Sequence, residues 1–152
     1  MTQSERASTP RIGGVIETAL YVDDLARSQA FYQDLLGFTV AMAPIDRMVV
    51  LNITDDQVLL LFKKGASREA TVLPFGTIPP TDGAGRLHVA FGVTPSDIDA
   101  WERRLSDAGV DVESRIDWPE GGCSLYFRDP DGHAIELKTS NWSGRPFLNP
   151  GS

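Results

Sequence analysis

Asp131-Gly132-His133-Ala134-Ile135-Glu136-Leu137 falls residue for residue on Asp55-Asp56-Gln57-Val58-Leu59-Leu60-Leu61. Each stretch reads as a polar turn that feeds a short apolar strand. The correspondence runs outward from there. Glu17 falls on His88, Ala19 on Ala90 and Val22 on Val93. After a one-residue shift, Gly37 falls on Gly109 and Val40 on Val112. The chain carries one structural unit twice.

Each unit reads as β-α-β-β-β. In the first, residues 15–22 form a strand, and Asp24 caps a helix whose Leu25, Tyr32, Leu35 and Leu36 recur at helical spacing. Gly37 stops it. Strands at 38–42, 48–53 and 57–62 follow, with turns at Asp46-Arg47 and Thr54-Asp55-Asp56. In the second unit, 87–93 is a strand, and Thr94-Pro95 or Ser96 opens a helix striped by Ile98, Trp101, Leu105 and Ala108 and ended by Gly109. Strands at 110–116, 123–128 and 133–138 complete it, with turns at Gly121-Gly122 and 129–132. Residues 65–85 are rich in Gly, Pro and Thr without periodicity, and read as a binding loop or a linker. The expected organisation is a flexible N-terminal tail at 1–13, a βαβββ module at 14–63, a linker at 64–85, a second module at 86–139 and a C-terminal tail at 140–152. The fold class is α+β, with paired modules forming a cupped mixed sheet. One module covers only one face of its small sheet, so two must pack, within a chain or between chains.

Composition narrows the function. The 152 residues suit one domain, and the 21 acidic against 14 basic residues give a net charge of −7. That argues against nucleic acid and anionic membranes as partners, since both need a basic surface. A single cysteine, Cys123, excludes an intrachain disulfide and points to a reducing compartment. No apolar run approaches a membrane span, and residues 1–10 lack the apolar core of a secretory signal. A cytoplasmic location is expected.

Side chains alternate along a strand. Leu20 and Val22 share the face that meets the helix, and Glu17, Ala19 and Tyr21 share the other. By the same rule Val89, Phe91 and Val93 pack while His88 and Ala90 face away, and Ile135 and Leu137 pack while Glu136 faces away. In the fourth strand Leu59 and Leu61 pack, while Leu60 and Phe62 face away. The repeat makes Glu17 equivalent to His88, and Leu60 to Glu136. If a pseudo-twofold relates the units, these four positions converge on one concave surface. Two carboxylates and an imidazole suit a divalent ion, and three protein ligands with open positions are the arrangement of a catalytic site. Singly, a strand-end Glu is usually solvated and a His usually only hydrogen-bonded; the weight lies in their repeat-related places.

Glu17, then 21–28 (Tyr-Val-Asp-Asp-Leu-Ala-Arg-Ser), Phe31-Tyr32 and Leu36-Gly37-Phe38, closed by 124–133 (Ser-Leu-Tyr-Phe-Arg-Asp-Pro-Asp-Gly-His) and Glu136-Leu137, resembles the vicinal oxygen chelate superfamily of glyoxalases, bleomycin-resistance proteins and extradiol dioxygenases. The resemblance covers about residues 14–140. It implies paired βαβββ modules and metal ligands at Glu17, His88 and Glu136. It also implies one divalent metal (Mn, Fe, Co, Ni or Zn) and a homodimer whose sites are built from two chains. The activity it implies is that of a lyase or isomerase, working by Lewis-acid stabilisation of an enolate or alkoxide on a small organic substrate. Glu17 or Glu136 is then the proton-moving carboxylate.

Three departures stand out. Extradiol dioxygenases have two His and one Glu at these places, whereas Glu17 here replaces one imidazole. Glyoxalase I has a fourth ligand, a Glu, where Leu60 stands. Fosfomycin-resistance enzymes, which open an epoxide, share Ser124, Tyr126 and Arg145, but Ala19 stands where they have Thr. A non-catalytic, drug-sequestering protein of the bleomycin-resistance type is the other alternative, and an acidic groove would suit its cationic drug. Tyr21, Phe62, Ser124, Tyr126 and Arg145 are the candidate substrate-binding residues. His133 reads as a structural group in its turn, Cys123 as a buried thiol and Trp101 as core. Gly83-Ala84-Gly85 lacks the lysine of a phosphate loop. Trp118 sits in a loop at the mouth of the cup, and Trp142 and Arg145 lie in the tail.

Overall fold

The computed structural model describes residues 8–147. Parts of both expected tails, 1–7 and 148–152, lie outside the described residues. The first module comprises β1 (Glu17–Val22), α1 (Leu25–Leu36), β2 (Thr39–Val40), β3 (Met48–Asn52) and β4 (Val58–Lys63). The second comprises β7 (His88–Gly92), a 3-10 turn (Pro95–Asp97), α2 (Ile98–Asp107), β8 (Ser114–Asp117), β9 (Cys123–Arg128) and β10 (Ala134–Lys138). The sheet orders are β1-β4-β3-β2 and β7-β10-β9-β8, so the two sheets have the same topology. In each, the first strand runs parallel to the last and the remaining pairs are antiparallel.

Register confirms the repeat at atomic level. Glu17 pairs with Val58 and Ala19 with Leu60. His88 pairs with Ala134 and Ala90 with Glu136. Glu17 and His88 therefore occupy the same place in their sheets, as do Leu60 and Glu136.

Local chemistry sets the helix ends. The Asp24 carboxylate accepts the Arg27 amide at 3.0 Å. Gly37 closes α1 with a φ of 75°, which a side chain would resist, and donates its amide to Gln33. Burying Tyr32, Leu35 and Leu36 contributes about 6 kcal/mol, against about 1 kcal/mol for a cap. Packing, more than capping, holds the helix.

Leu20, Val22, Leu59 and Leu61 of the first sheet join Phe91, Leu125, Phe127, Ile135 and Leu137 of the second in one apolar cluster with both helices. Phe31 of α1 reaches Phe127, and Phe38 meets Phe91 edge-on at 5.1 Å. The helix-facing sides of the two modules thus merge into a single core. The opposite sides, which carry Glu17, Leu60, His88 and Glu136, turn away from it.

The closing turn latches the modules together. Tyr32 donates its phenol to Asp129 at 2.7 Å, and Ser28 and the Asp23 amide donate to Asp131. His133 accepts the Leu87 amide at Nδ1 and donates from Nε2 to the Tyr21 carbonyl.

Some sequence expectations need correction. The unpatterned stretch 65–85 holds a hairpin, β5 (Thr71–Leu73) with β6 (Gly76–Ile78). Three-residue strands are too short to show alternation. The strand expected at 38–42 is only two residues long, and β8 begins at Ser114 because Val110 still bonds back to Leu105 at the helix end. Val15 and Ile16 are exposed and precede β1. No helix of the described residues is long and apolar enough to cross a membrane.

Candidate metal-binding and catalytic site

β7 and β10 lie side by side, and their register sets His88 next to Ala134 and two residue pairs away from Glu136, on the same face. Nδ1 of His88 lies 2.8 Å from the Ala134 carbonyl. A carbonyl only accepts, so Nδ1 carries the proton, and in the neutral ring Nε2 holds a lone pair. That Nε2 lies 3.4 Å from Oε1 of Glu136. A histidine whose other nitrogen is tied to a backbone carbonyl is the usual state of a metal-ligating imidazole. The donor set therefore fits a divalent ion at these two residues.

Glu136 is 5% exposed, while the His88 side chain is half in solvent. Oε2 of Glu136 accepts the Ser124 hydroxyl at 2.6 Å, and Ser124 in turn accepts the indole N–H of Trp118 at 2.8 Å. Tyr126 pairs across the sheet with Glu136, and its ring stacks on His88 with centroids 6.4 Å apart. Burial first, then the negative charge of Glu136, pushes the Tyr126 phenol above its ordinary pKa. The phenol stays a hydrogen-bond donor at neutral pH.

The other predicted residues lie elsewhere. Glu17 is exposed at the start of β1 and makes no ion pair or side-chain hydrogen bond among the described residues. No group of three metal-binding side chains comes together among the described residues. Within one chain Glu17 therefore does not join His88 and Glu136 in such a group. Tyr21 and Phe62 stack on each other at 5.6 Å in the first sheet, and Gly83 lies against the Tyr21 ring so closely that a Cβ there would overlap it. Arg145 is exposed, with its amide held by the Asn141 turn. Its guanidinium makes no ion pair among the described residues.

Two residues escaped the sequence reading as site groups. Lys138 lies two positions beyond Glu136 on the same face, with its ammonium 4.5 Å from the Trp118 ring centre and 4.8 Å from that of Trp142. Trp118 is the other, through its bond to Ser124. Strand alternation places Lys138 on the same face as Glu136, but the approach of the two indoles depends on loops.

Residues 14–137 match the family model described as the Glyoxalase/Bleomycin resistance protein/Dioxygenase superfamily. The chain belongs to this superfamily. Among curated superfamily relatives, the glutathione transferase FosA of Serratia marcescens is 31% identical over 129 residues, covering 83% of this chain and 80% of that one. Among solved structures, the lactoylglutathione lyase of Agrobacterium tumefaciens has a TM-score of 0.76 at 32% identity, over 84% of this chain and 94% of that one. The fosfomycin resistance protein FosX of Listeria monocytogenes shares the superfamily fold. A variant of it, complexed with Mn(II) and 1S,2S-dihydroxypropylphosphonic acid, gives a TM-score of 0.64 at 21% identity, covering 89% and 96% of the two chains. The fold here is a pair of like modules, with His88 and Glu136 on neighbouring strands of the second.

Proposed function

We propose that this protein is a divalent-metal-dependent enzyme of the superfamily. In this reading His88 and Glu136 of one chain and Glu17 of a second copy hold the metal, and the substrate is a small molecule bearing adjacent oxygens. The observation that carries the reading is His88 Nε2 at 3.4 Å from Oε1 of Glu136, with Nδ1 bonded to the Ala134 carbonyl. Relatives that are metallothiol transferases, and a structural neighbour complexed with Mn(II), support the choice of a divalent ion.

The same geometry supports a homodimer. The ligand faces look away from the core of their own chain, so a second copy is the natural source of Glu17. Ile12, Val15 and Ile16, which lead into β1, are 91%, 67% and 70% exposed, a surface suited to burial against another copy. A copy that delivers Glu17 also delivers Tyr21 and Phe62, which share its sheet.

A bound divalent ion supplies Lewis acidity to substrate oxygens. The chain's own groups do the rest. Glu136 keeps Oε2 on Ser124 and acts as a fixed ligand. Glu17, which no group of its own chain holds among the described residues, is the ligand carboxylate placed to take a proton from the substrate and return it. Tyr126 donates its phenolic proton to a substrate oxygen. Isomerase or lyase chemistry is the first reading.

Epoxide opening is the second, favoured by the 31% identity to FosA. Against it stands Ala19, which offers no hydroxyl.

The deciding experiment is elemental analysis of protein purified without chelator, beside Glu17→Ala, His88→Ala and Glu136→Ala. About one metal per chain, lost in each variant, is expected. Co-expressed Glu17→Ala and His88→Ala chains should regain metal at one site of the mixed dimer. Wild-type protein that neither contains nor takes up Mn, Fe, Co, Ni or Zn would overturn the reading and leave a drug-sequestering binding protein in its place. Metal retained by Glu17→Ala alone would remove the second copy from the site. The loaded protein is then assayed with the methylglyoxal–glutathione hemithioacetal and with fosfomycin plus thiol.

A further inference from the structure

Three features of one loop bear on Glu136. The Trp118 amide donates to Gly122 and its carbonyl accepts from Gly121, so its backbone sits in a tight turn. Its ring lies under the Lys138 ammonium. Its indole N–H meets Ser124 at 2.8 Å. Ser124 is fully buried, and its hydroxyl meets Glu136 at 2.6 Å.

The chemistry of these groups fixes a direction. An indole nitrogen only donates, and an ionised carboxylate only accepts. With the indole on one lone pair of Ser124, the hydroxyl hydrogen points to Oε2 of Glu136. The hydrogen is then not available to a substrate. The carboxylate in turn is held with Oε1 towards His88. Without the indole, the hydroxyl is free to rotate, and Glu136 loses a charge-assisted bond.

We infer that Trp118 and Ser124 are positioning residues for Glu136, with Trp118 acting through the Ser124 hydroxyl, and that Ser124 is not a substrate donor. The inference rests on the metal reading above. It removes one of the hydroxyls that the fosfomycin-type reading needs.

The test is Mn(II) binding to the full chain, followed by the electron paramagnetic resonance of the free ion. Wild type, Ser124→Ala, Trp118→Phe, the double variant and Glu136→Ala are compared. Ser124→Ala should weaken binding about 10- to 100-fold, the usual range for loss of a ligand's supporting hydrogen bond. Trp118→Phe should weaken it by a smaller factor. The double variant should match Ser124→Ala, because the indole acts only through the hydroxyl.

Single-variant losses that multiply, or a Ser124→Ala protein that binds like wild type, would overturn the inference. Glu136→Ala separates the two levels. If it keeps Mn(II), the metal reading fails and this inference with it. If it loses Mn(II) while Ser124→Ala does not, only this inference fails.

A second readout covers the case of a poorly folded Trp118→Phe. The indole N–H resonance of Trp118, assigned with Trp101→Phe and Trp142→Phe, should move upfield in Ser124→Ala and exchange faster with solvent. It should also shift when diamagnetic Zn(II) is added to wild type. A resonance indifferent to both changes would contradict the proposed relay.

Discussion

Nε2 of His133 donates across 2.8 Å to the carbonyl of Tyr21, tying the closing turn of the second module to the first strand of the first. Its other nitrogen accepts the amide of Leu87, the residue before His88. The imidazole is fully buried and makes both bonds at once. His133→Ala would leave an amide and a carbonyl without their partner. The expected loss is about 3 kcal/mol, seen as a lower urea midpoint at unchanged slope. A loss under about 1 kcal/mol would mean that water replaces the ring at little cost.

Tyr32 gives a prediction about alkali. Burial, then the Asp129 charge, holds its phenol far above its ordinary range. The folded phenol keeps its proton where the unfolded one, titrating near pH 10, loses it. Its contribution to stability is therefore complete below pH 10 and declines as pH rises above it. Tyr32→Phe should flatten that decline. At neutral pH it should cost about 2 kcal/mol, the worth of a bond to a charged acceptor. Chemical denaturation at pH 7 and pH 11 checks both parts; an equal alkaline decline in wild type and variant would refute the assignment.

Gly144 has a φ of +78°, and a Cβ there would stand 2.1 Å from the carbonyl oxygen of Glu120. The clash is with backbone and cannot be relieved by a rotamer change. Gly144→Ala should push the C-terminal turn off the loop that carries Trp118. A destabilisation of about 1–3 kcal/mol and a shifted Trp118 indole resonance are expected. A variant with wild-type stability and spectrum would show that the turn moves freely.

Cys123 lies on β9 with its amide bonded to Thr139. Burial pushes its thiol above the ordinary pKa, against the opposing pull of Arg115. Since the thiolate is the reactive form, alkylation by iodoacetamide at pH 8 should run more than about tenfold slower than for an unstructured cysteine. Denaturant should restore the rate. A fast reaction in native protein would place the thiol in solvent.

The repeat was legible because each half obeys the same alternation. Pairing Glu17 with His88 and Leu60 with Glu136 needed only residue order, and the strand registers agree. The hairpin at 71–78 was not legible, since three residues give at most one full alternation and its Gly and Thr read as loop. The bond from Ser124 to Glu136 was not legible for a different reason. Alternation put its hydroxyl on the site face, but its direction depends on an indole that folds back across Gly121-Gly122. The faces of Glu17 and His88 were likewise readable, but alternation within a strand does not say whether two sheets bring those faces together, and within one chain Glu17 does not join His88 and Glu136.

That shared core changes what the connection between the halves has to do. The segment from 64 to 87 holds itself together through its own hairpin, the Thr81–Ser67 backbone bond and the Arg68–Asp82 pair. The grip between the modules comes instead from Tyr32, Asp129, Asp131 and His133. The connection is also fastened to the first module, with Gly83 against the Tyr21 ring and Arg47 donating to Thr71. Residues 1–85 and 86–152, produced as separate polypeptides, are expected to find each other and refold as a complementing pair.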